Sequence, residues 1–138
     1  MKRIAVIISL VVCVFSLVAC AGNGGHSPST TLKVDMSEFM FTPNDYVIPA
    51  GQEITLELKN SGSIKHDFII LKKGVVVQTS FDREKQKDDI YFQALLESNN
   101  VQTFTFTAPA EAGEYQIICG IPGHFQAGMT AKLIVVAP

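Results

Sequence analysis

Three side chains that can bind a soft metal ion lie close together near the end of the chain. They are Cys119, His124 and Met129, and four residues separate each one from the next. A thiolate, an imidazole and a thioether favour copper or zinc over hard cations such as magnesium. Pro122 and Gly123 favour a tight turn directly before the histidine. The spacing therefore predicts a single loop that supplies three metal ligands.

A fourth ligand must come from another part of the chain, and His66 is the candidate. It precedes an apolar run, residues 68–71, that predicts a buried strand. Two imidazoles, one thiolate and one weakly bound thioether are the donor set of a blue-copper centre. Zinc binds histidine and cysteine but gains little from a thioether. We therefore expect one type 1 copper ion per chain, bound by His66, Cys119, His124 and Met129.

Each ligand candidate also has an ordinary structural interpretation. A histidine beside an apolar strand is usually a hydrogen-bonded core residue, and a lone buried cysteine is usually an inert small hydrophobe. A single methionine usually fills space in the core. The joint occurrence of all four residues at this spacing favours the metal site. Met36 and Met40 stand apart from the loop and are interpreted as core or surface residues.

The N-terminal segment has the layout of a secretory signal and resembles the lipobox of bacterial lipoproteins. Lys2 and Arg3 precede an apolar run, residues 4–17, and Ala19 stands directly before Cys20. The run is short for a full membrane span, which needs about 20 residues. An uncleaved membrane anchor is therefore the weaker alternative.

Cleavage before Cys20 would divide the chain into three parts. We expect residues 1–19 to be a lipoprotein signal peptide, residues 20–30 a lipidated flexible tether, and residues 31–138 one folded domain. Lipid on Cys20 would hold this domain in the cell envelope, on the outward (periplasmic or extracytoplasmic) face of a bacterial membrane. Cys119 would then be the sole thiol of the folded domain, which favours a metal-bound role for it.

Short apolar alternations separated by glycine, proline and asparagine turns predict strands throughout the domain. The predicted strands cover residues 32–36, 39–41, 46–48, 54–58, 68–71, 75–77, 102–106, 115–119 and 133–136. Residues 72–74 predict a hairpin loop between two of them. Strands of this length and number predict an all-β fold, a two-sheet Greek-key β-sandwich.

One segment, residues 82–98, breaks the strand rhythm. It is charged at its start, where Asp82 could cap a helix, and apolar later. We expect a short helical insertion here, with the charges of residues 82–89 forming a solvated face.

The loop with Pro122-Gly123-His124 at its middle resembles the copper loop of the cupredoxins, the type 1 blue-copper family. Its spacing is one residue longer after His124 than in azurins and two residues longer before it than in plastocyanins. It matches the auracyanin branch of azurin- and plastocyanin-type lipoproteins. Residues 41–51 and 58–62 add to the resemblance, which covers roughly residues 32–136.

The resemblance implies a monomeric electron carrier that cycles between Cu(I) and Cu(II) and links membrane redox partners in a photosynthetic or respiratory chain. It also implies that the edge of His124 emerges through an apolar patch, where redox donors and acceptors dock briefly. Ile121, Pro122 and Phe125 are the candidates for this patch. Four protein ligands leave no open position for a substrate, so we expect no enzyme activity. With 11 basic and 13 acidic residues, no basic field would attract nucleic acid.

The alternative function is an envelope copper chaperone or storage module. Such a protein would need exposed thioethers or histidines that exchange metal readily. Met36, Met40 and His26 are too scattered along the chain to favour it.

Asp67 departs from the pattern of the family. Asparagine usually follows the first ligand histidine there, and its side chain ties the two ligand loops together. An aspartate offers only acceptors when ionised. Asp67 must therefore find a donor, be protonated or point outward.

Overall fold

The structure is a computed structural model that describes residues 27–137. This part of the chain forms β1 (Thr31–Ser37), β2 (Met40–Thr42), β3 (Asp45–Pro49), β4 (Glu53–Asn60), β5 (His66–Leu71), β6 (Ile90–Leu96), β7 (Val101–Thr107), β8 (Gly113–Ile118) and β9 (Thr130–Val136). One sheet has the order β2-β1-β4-β7 and the other the order β3-β9-β8-β5-β6. Both are mixed, because β1 pairs in parallel with β4 and β3 with β9.

The predicted all-β, two-sheet architecture is confirmed. The predicted signal peptide, Cys20 and most of the tether, including His26, lie outside the described residues, so the predicted division of the chain stays a prediction. Within residues 27–137, no helix is long and apolar enough to cross a membrane.

Alternating apolar residues place one face of the first sheet against the core. In β1, Leu32, Val34 and Met36 are buried between neighbours that are exposed or half-buried. Across the parallel pairing, Leu32 lies opposite Leu56 and Val34 opposite Leu58. Burial of each such side chain contributes about 1.5–3 kcal/mol. This apolar face therefore holds the first sheet against the second.

β5 is buried along its whole length because both of its faces are covered. Phe68 and Ile70 belong to the main core between the sheets. Ile69 and Leu71 belong to a smaller cluster on the outer face, against which the connection between β5 and β6, residues 72–89, packs. A continuous apolar run is the sequence pattern of a strand in this position.

The helical insertion predicted for residues 82–98 is wrong. This range contains one 3-10 turn, Lys87–Asp89, and then β6. β6 pairs antiparallel with β5, and Leu96 lies opposite His66. The more buried residues of β6 alternate with exposed ones, which is a strand period of two. The charges that precede this alternation favoured the wrong interpretation.

The hairpin predicted between residues 68–71 and 75–77 is also wrong. Residues 75–77 form no strand, and β5 pairs instead with β6 and β8. The Val77 N–H donates to Gln116 Oε1 at 2.8 Å, and Gln116 Nε2 donates to the Val77 carbonyl at 3.2 Å. One side-chain amide therefore satisfies backbone groups that a strand partner would otherwise bind.

Strand register brings the predicted ligands to one end of the second sheet. His66 begins β5, Cys119 follows the last residue of β8, and Met129 precedes the first residue of β9. The antiparallel pairings of β8 with β5 and with β9 align these ends. His124 lies in the loop that joins β8 to β9.

Candidate metal centre

Three of the predicted ligands converge through their donor atoms. The Nδ1 atoms of His66 and His124 are 3.1 Å apart, and the Cys119 Sγ lies 3.3 Å from the His124 Nδ1. All three donor atoms lie within 4.8 Å of one another, and all three residues are buried. Two donors that each bind one ion at about 2 Å in tetrahedral geometry are about 3.3 Å apart. The side chains present therefore fit a single metal ion.

Backbone hydrogen bonds place Met129 beside the other ligands. Its N–H donates to the His124 carbonyl at 3.0 Å, and the Cys119 N–H donates to the Met129 carbonyl at 3.1 Å. Gly123 and Gly128 have φ angles of +89° and +100°, which residues with a Cβ rarely adopt. These turns let the loop close tightly enough to bring the buried Met129 back to the centre.

At neutral pH both imidazoles are neutral, and the neutral imidazole is the form that binds metal. Burial lowers the pKa of His66, and the nearby His124 lowers it further, while Glu38 opposes both effects. Burial likewise lowers the pKa of His124, again against an opposing effect of Glu38.

The thiol of Cys119 is buried but receives hydrogen-bond donors. Burial raises its pKa to about 11, while a hydrogen bond from the Ile121 backbone and the charge of Arg83 oppose the rise. The Asp67 N–H also donates to Sγ, at 3.4 Å. A bound metal ion removes the thiol proton outright. The two N–H donors would then stabilise the thiolate.

Glu38 faces the outer nitrogen of His66 and was missed by the sequence analysis. The His66 Nε2 is buried without a hydrogen-bond partner in the described part of the chain, and the Glu38 Oε1 lies 3.9 Å away. The same oxygen accepts the N–H groups of Ser63 and Ile64, in the turn before β5. At 3.9 Å the carboxylate and the imidazole do not form a hydrogen bond, so Glu38 acts on the imidazole through its charge. No sequence pattern indicates this role, because Glu38 lies in another strand connection.

The surroundings of His124 differ in part from the predicted patch. Pro122 is exposed and Ile121 and Phe125 are half-buried, so these residues remain candidates. The ring of Phe39, which the sequence analysis did not single out, packs edge-on against the imidazole at a centroid distance of 4.8 Å. His124 is only 6% exposed, so little of this residue faces solvent.

The Asp67 side chain accepts a hydrogen bond, which is the first of the three alternatives that the sequence left open for it. The side chain is 1% exposed, and its Oδ2 accepts a hydrogen bond from Arg83 Nη2. The prediction that residues 82–89 form only a solvated face is therefore wrong at Arg83. Met36 is buried in the core and Met40 is exposed, which agrees with their interpretation.

Comparison with known families decides the assignment of the chain. Residues 6–135 match the family model described as a cupredoxin-like domain. The chain belongs to the cupredoxin-like family. This cupredoxin also resembles individual curated proteins over most of its length. It is 28% identical to auracyanin-A of Chloroflexus aurantiacus, over 96% of each chain. It is 28% identical to the copper-resistant cuproprotein CopI of Rubrivivax gelatinosus, over 76% of this chain and 66% of that protein.

Solved structures give the same assignment for the cupredoxin. Dithionite-reduced auracyanin from the photosynthetic bacterium Roseiflexus castenholzii superposes with a TM-score of 0.65 at 27% identity, over 80% of this chain and 99% of that one. Auracyanin A from Chloroflexus aurantiacus, described as a blue copper protein, gives a TM-score of 0.60 at 25% identity, over 80% of this chain and all of that one. The predicted assignment to the cupredoxin family is confirmed, and auracyanins are among the proteins that the chain resembles.

Proposed function

We propose that this cupredoxin is a blue-copper electron carrier. The Nδ1 atoms of His66 and His124 and the Sγ of Cys119 would hold copper, and Met129 would supply a fourth, weaker ligand. The convergence of two buried imidazole nitrogens and one buried thiol sulfur within 4.8 Å carries the proposal. Bound copper would supply a one-electron step between Cu(I) and Cu(II).

The protein's own contribution is a dry, preformed set of donors. Sulfur ligands and an apolar surround favour Cu(I), while the imidazoles tolerate Cu(II). The ligands are held by strand ends and by backbone hydrogen bonds within the loop, so they need little movement between the two states. Four protein donors leave no position for a substrate, which supports electron transfer over an enzymatic reaction.

Copper titration of the metal-free protein tests this function. One equivalent of Cu(II) is expected to produce intense absorption near ~600 nm, from charge transfer between the thiolate and the ion. Cys119→Ser should abolish the band, while Cys20→Ser, which changes the cysteine outside the folded domain, should leave it unchanged. Copper binding without this band in the wild type would refute a type 1 centre.

Electron transfer with redox partners is proposed to pass through the edge of His124. The adjoining apolar residues suit brief docking, because transient electron-transfer contacts are small. His124→Ala should leave a coordination position open to added imidazole and should slow electron exchange with a redox partner. His26→Ala, in the predicted tether, is the matched control. Unchanged exchange in the His124 variant would refute this route.

A copper-handling role is the second candidate, because CopI proteins are described as copper-resistant cuproproteins. Rapid transfer of Cu(I) to a chelator, together with a colourless copper form, would favour it. Slow transfer and a stable blue form would favour the electron carrier.

Lipid attachment at Cys20 is proposed to hold the domain at the outward face of a bacterial membrane. Mass spectrometry of the mature N-terminus should find acyl groups on this residue. Cys20→Ala should prevent this acylation. A wild-type mature N-terminus without acyl groups would refute the anchor.

A further inference from the structure

The connection between β5 and β6 carries an arginine to the metal centre from the outer face of the second sheet. Arg83 Nη2 donates to Asp67 Oδ2, and Arg83 Nη1 donates to Gln93 Oε1 at 3.1 Å. The Asp67 side chain is 1% exposed and the Arg83 side chain is 36% exposed. One guanidinium group therefore bridges β5 and β6 and covers a buried carboxylate.

This ion pair lies directly against the backbone next to the thiolate ligand. A Cβ atom on Gly120, the residue after Cys119, would lie 3.0 Å from Arg83 Nη2 and 3.2 Å from Asp67 Oδ2. It would also lie 2.5 Å from Ile69 Cδ1, a distance that real Cβ atoms do not tolerate. Glycine at this position lets the ion pair close over the chain.

Asp67 connects the ion pair to the sulfur ligand through its backbone. Its N–H donates to Cys119 Sγ at 3.4 Å, and its side chain binds Arg83. A buried carboxylate is strongly unfavourable without a charged or hydrogen-bonding partner. Arg83 therefore helps strand pairing to hold the residue whose N–H is directed at the sulfur.

The outer side of Arg83 faces solvent. A surface cleft of 560 Å³ is lined by residues that include Arg83, Gly120 and Ile121. Removal of the guanidinium would extend this cleft toward the backbone of Cys119, whose side chain is fully buried in the wild type.

We propose that Arg83 is a positioning residue of the metal centre. It holds Asp67 so that the backbone N–H meets Cys119 Sγ, and it anchors residues 72–89 as a cover over that ligand. Its charge also balances the Asp67 carboxylate beside the bound ion. This last effect rests on the proposed electron-carrier function, whereas the positioning effect does not require metal.

Alkylation of Cys119 in the metal-free protein tests the positioning effect. The rate of reaction with iodoacetamide, mapped to Cys119 by mass spectrometry, is expected to rise about tenfold in Arg83→Gln. This factor corresponds to opening that is easier by about 1.4 kcal/mol. Arg83→Lys should give an intermediate rate, because the charge is kept but one ammonium group cannot bridge Asp67 and Gln93. Lys85→Gln is the matched control, since its ion pair with Asp82 lies on the exposed surface of the same segment.

Voltammetry of the copper-loaded protein tests the charge effect, which a merely structural role would not produce. Arg83→Gln should lower the reduction potential, because an uncompensated carboxylate favours Cu(II). Asp67→Asn should raise the potential, because the guanidinium remains, and Asp67→Asn/Arg83→Gln should lie between them. The double variant leaves no buried charge, so it can replace Arg83→Gln in this measurement if that single variant folds poorly.

Two outcomes overturn the proposal. An alkylation rate in Arg83→Gln equal to that of the wild type would refute the cover. Wild-type potentials in both single variants would refute the charge effect. Failure of the proposed electron-carrier function would be distinguishable from these outcomes. In that case the copper-loaded wild type would lack the blue absorption band, while the alkylation rates would still differ as expected.

Discussion

Phe39 meets the imidazole of His124 edge-on, with ring centroids 4.8 Å apart and ring planes at 66°. Its neighbour Glu38 faces the other imidazole, with Oε1 3.9 Å from His66 Nε2. Both residues lie in the connection between β1 and β2. The first sheet therefore contacts both ligands that the second sheet and its loop supply, and this contact gives two predictions.

Phe39→Ala should weaken the cover over His124 without unfolding the protein. Edge-to-face aromatic pairs contribute about 0.5–1.5 kcal/mol, and we expect a loss of this size in the free energy of unfolding measured with urea. Copper release to a chelator should become several-fold faster, because water reaches the imidazole. Met40→Ala, at an exposed neighbouring position, is the control. Equal release rates in the two variants would contradict the role of Phe39.

Glu38→Gln should raise the reduction potential. The carboxylate lies near both imidazoles and stabilises positive charge there, so its loss favours the less positive Cu(I) state. The rise should be small but measurable by voltammetry, because Glu38 is partly exposed and solvent screens its charge. The amide oxygen can still accept from the Ser63 N–H. Glu57→Gln, in the exposed ion pair with Lys33, should leave the potential unchanged.

The sequence was sufficient to predict the strands of the first sheet, all strands of the second except β6, and the convergence of three donors. Period-two alternation and the continuous apolar run of β5 follow directly from burial on one or two faces. The spacing of the loop fixes Cys119, His124 and Met129 near one another whatever the details of packing. His66 followed from its place at the start of a buried strand.

The contacts around these ligands could not be predicted in the same way. Arg83, Glu38 and Phe39 lie far from the ligands in sequence and look like ordinary surface residues. Their positions depend on how β6 and the connection between β1 and β2 fold back on the sheet end. The helix predicted for residues 82–98 was wrong for the same reason. Because β6 was not predicted, the fold of the connection that places Arg83 beside Asp67 could not be predicted either.

Met129→Leu should retain the blue colour and raise the reduction potential. A weak axial ligand tunes the potential, and its loss disfavours Cu(II). We expect a rise of about 60 mV or more, a tenfold change in the one-electron equilibrium. Met36→Leu, fully buried in the core, tests whether any buried thioether has this effect. A similar rise in both variants would exclude Met129 as the axial ligand.

Copper should stabilise the folded protein through the proposed ligands. Free copper at 100 times its dissociation constant adds about 2.7 kcal/mol to the free energy of unfolding. Thermal melting with and without copper should show this difference in the wild type and in Cys20→Ser. Cys119→Ser should lose most of it. Full stabilisation of Cys119→Ser would place the copper elsewhere.

Phe68→Ala should test whether the core between the sheets determines the position of His66. Phe68 is fully buried, two residues beyond that ligand, and packs edge-on against Phe41 and Tyr46 at 5.6 and 6.3 Å. Large-to-small changes at such positions cost about 3–5 kcal/mol, which urea unfolding would measure. Because β5 supplies the first ligand, copper affinity should fall together with stability. Val76→Ala, at an exposed position, should change neither quantity. A large loss of stability with unchanged copper affinity would show that strand ends and loop hydrogen bonds hold the centre independently of this core.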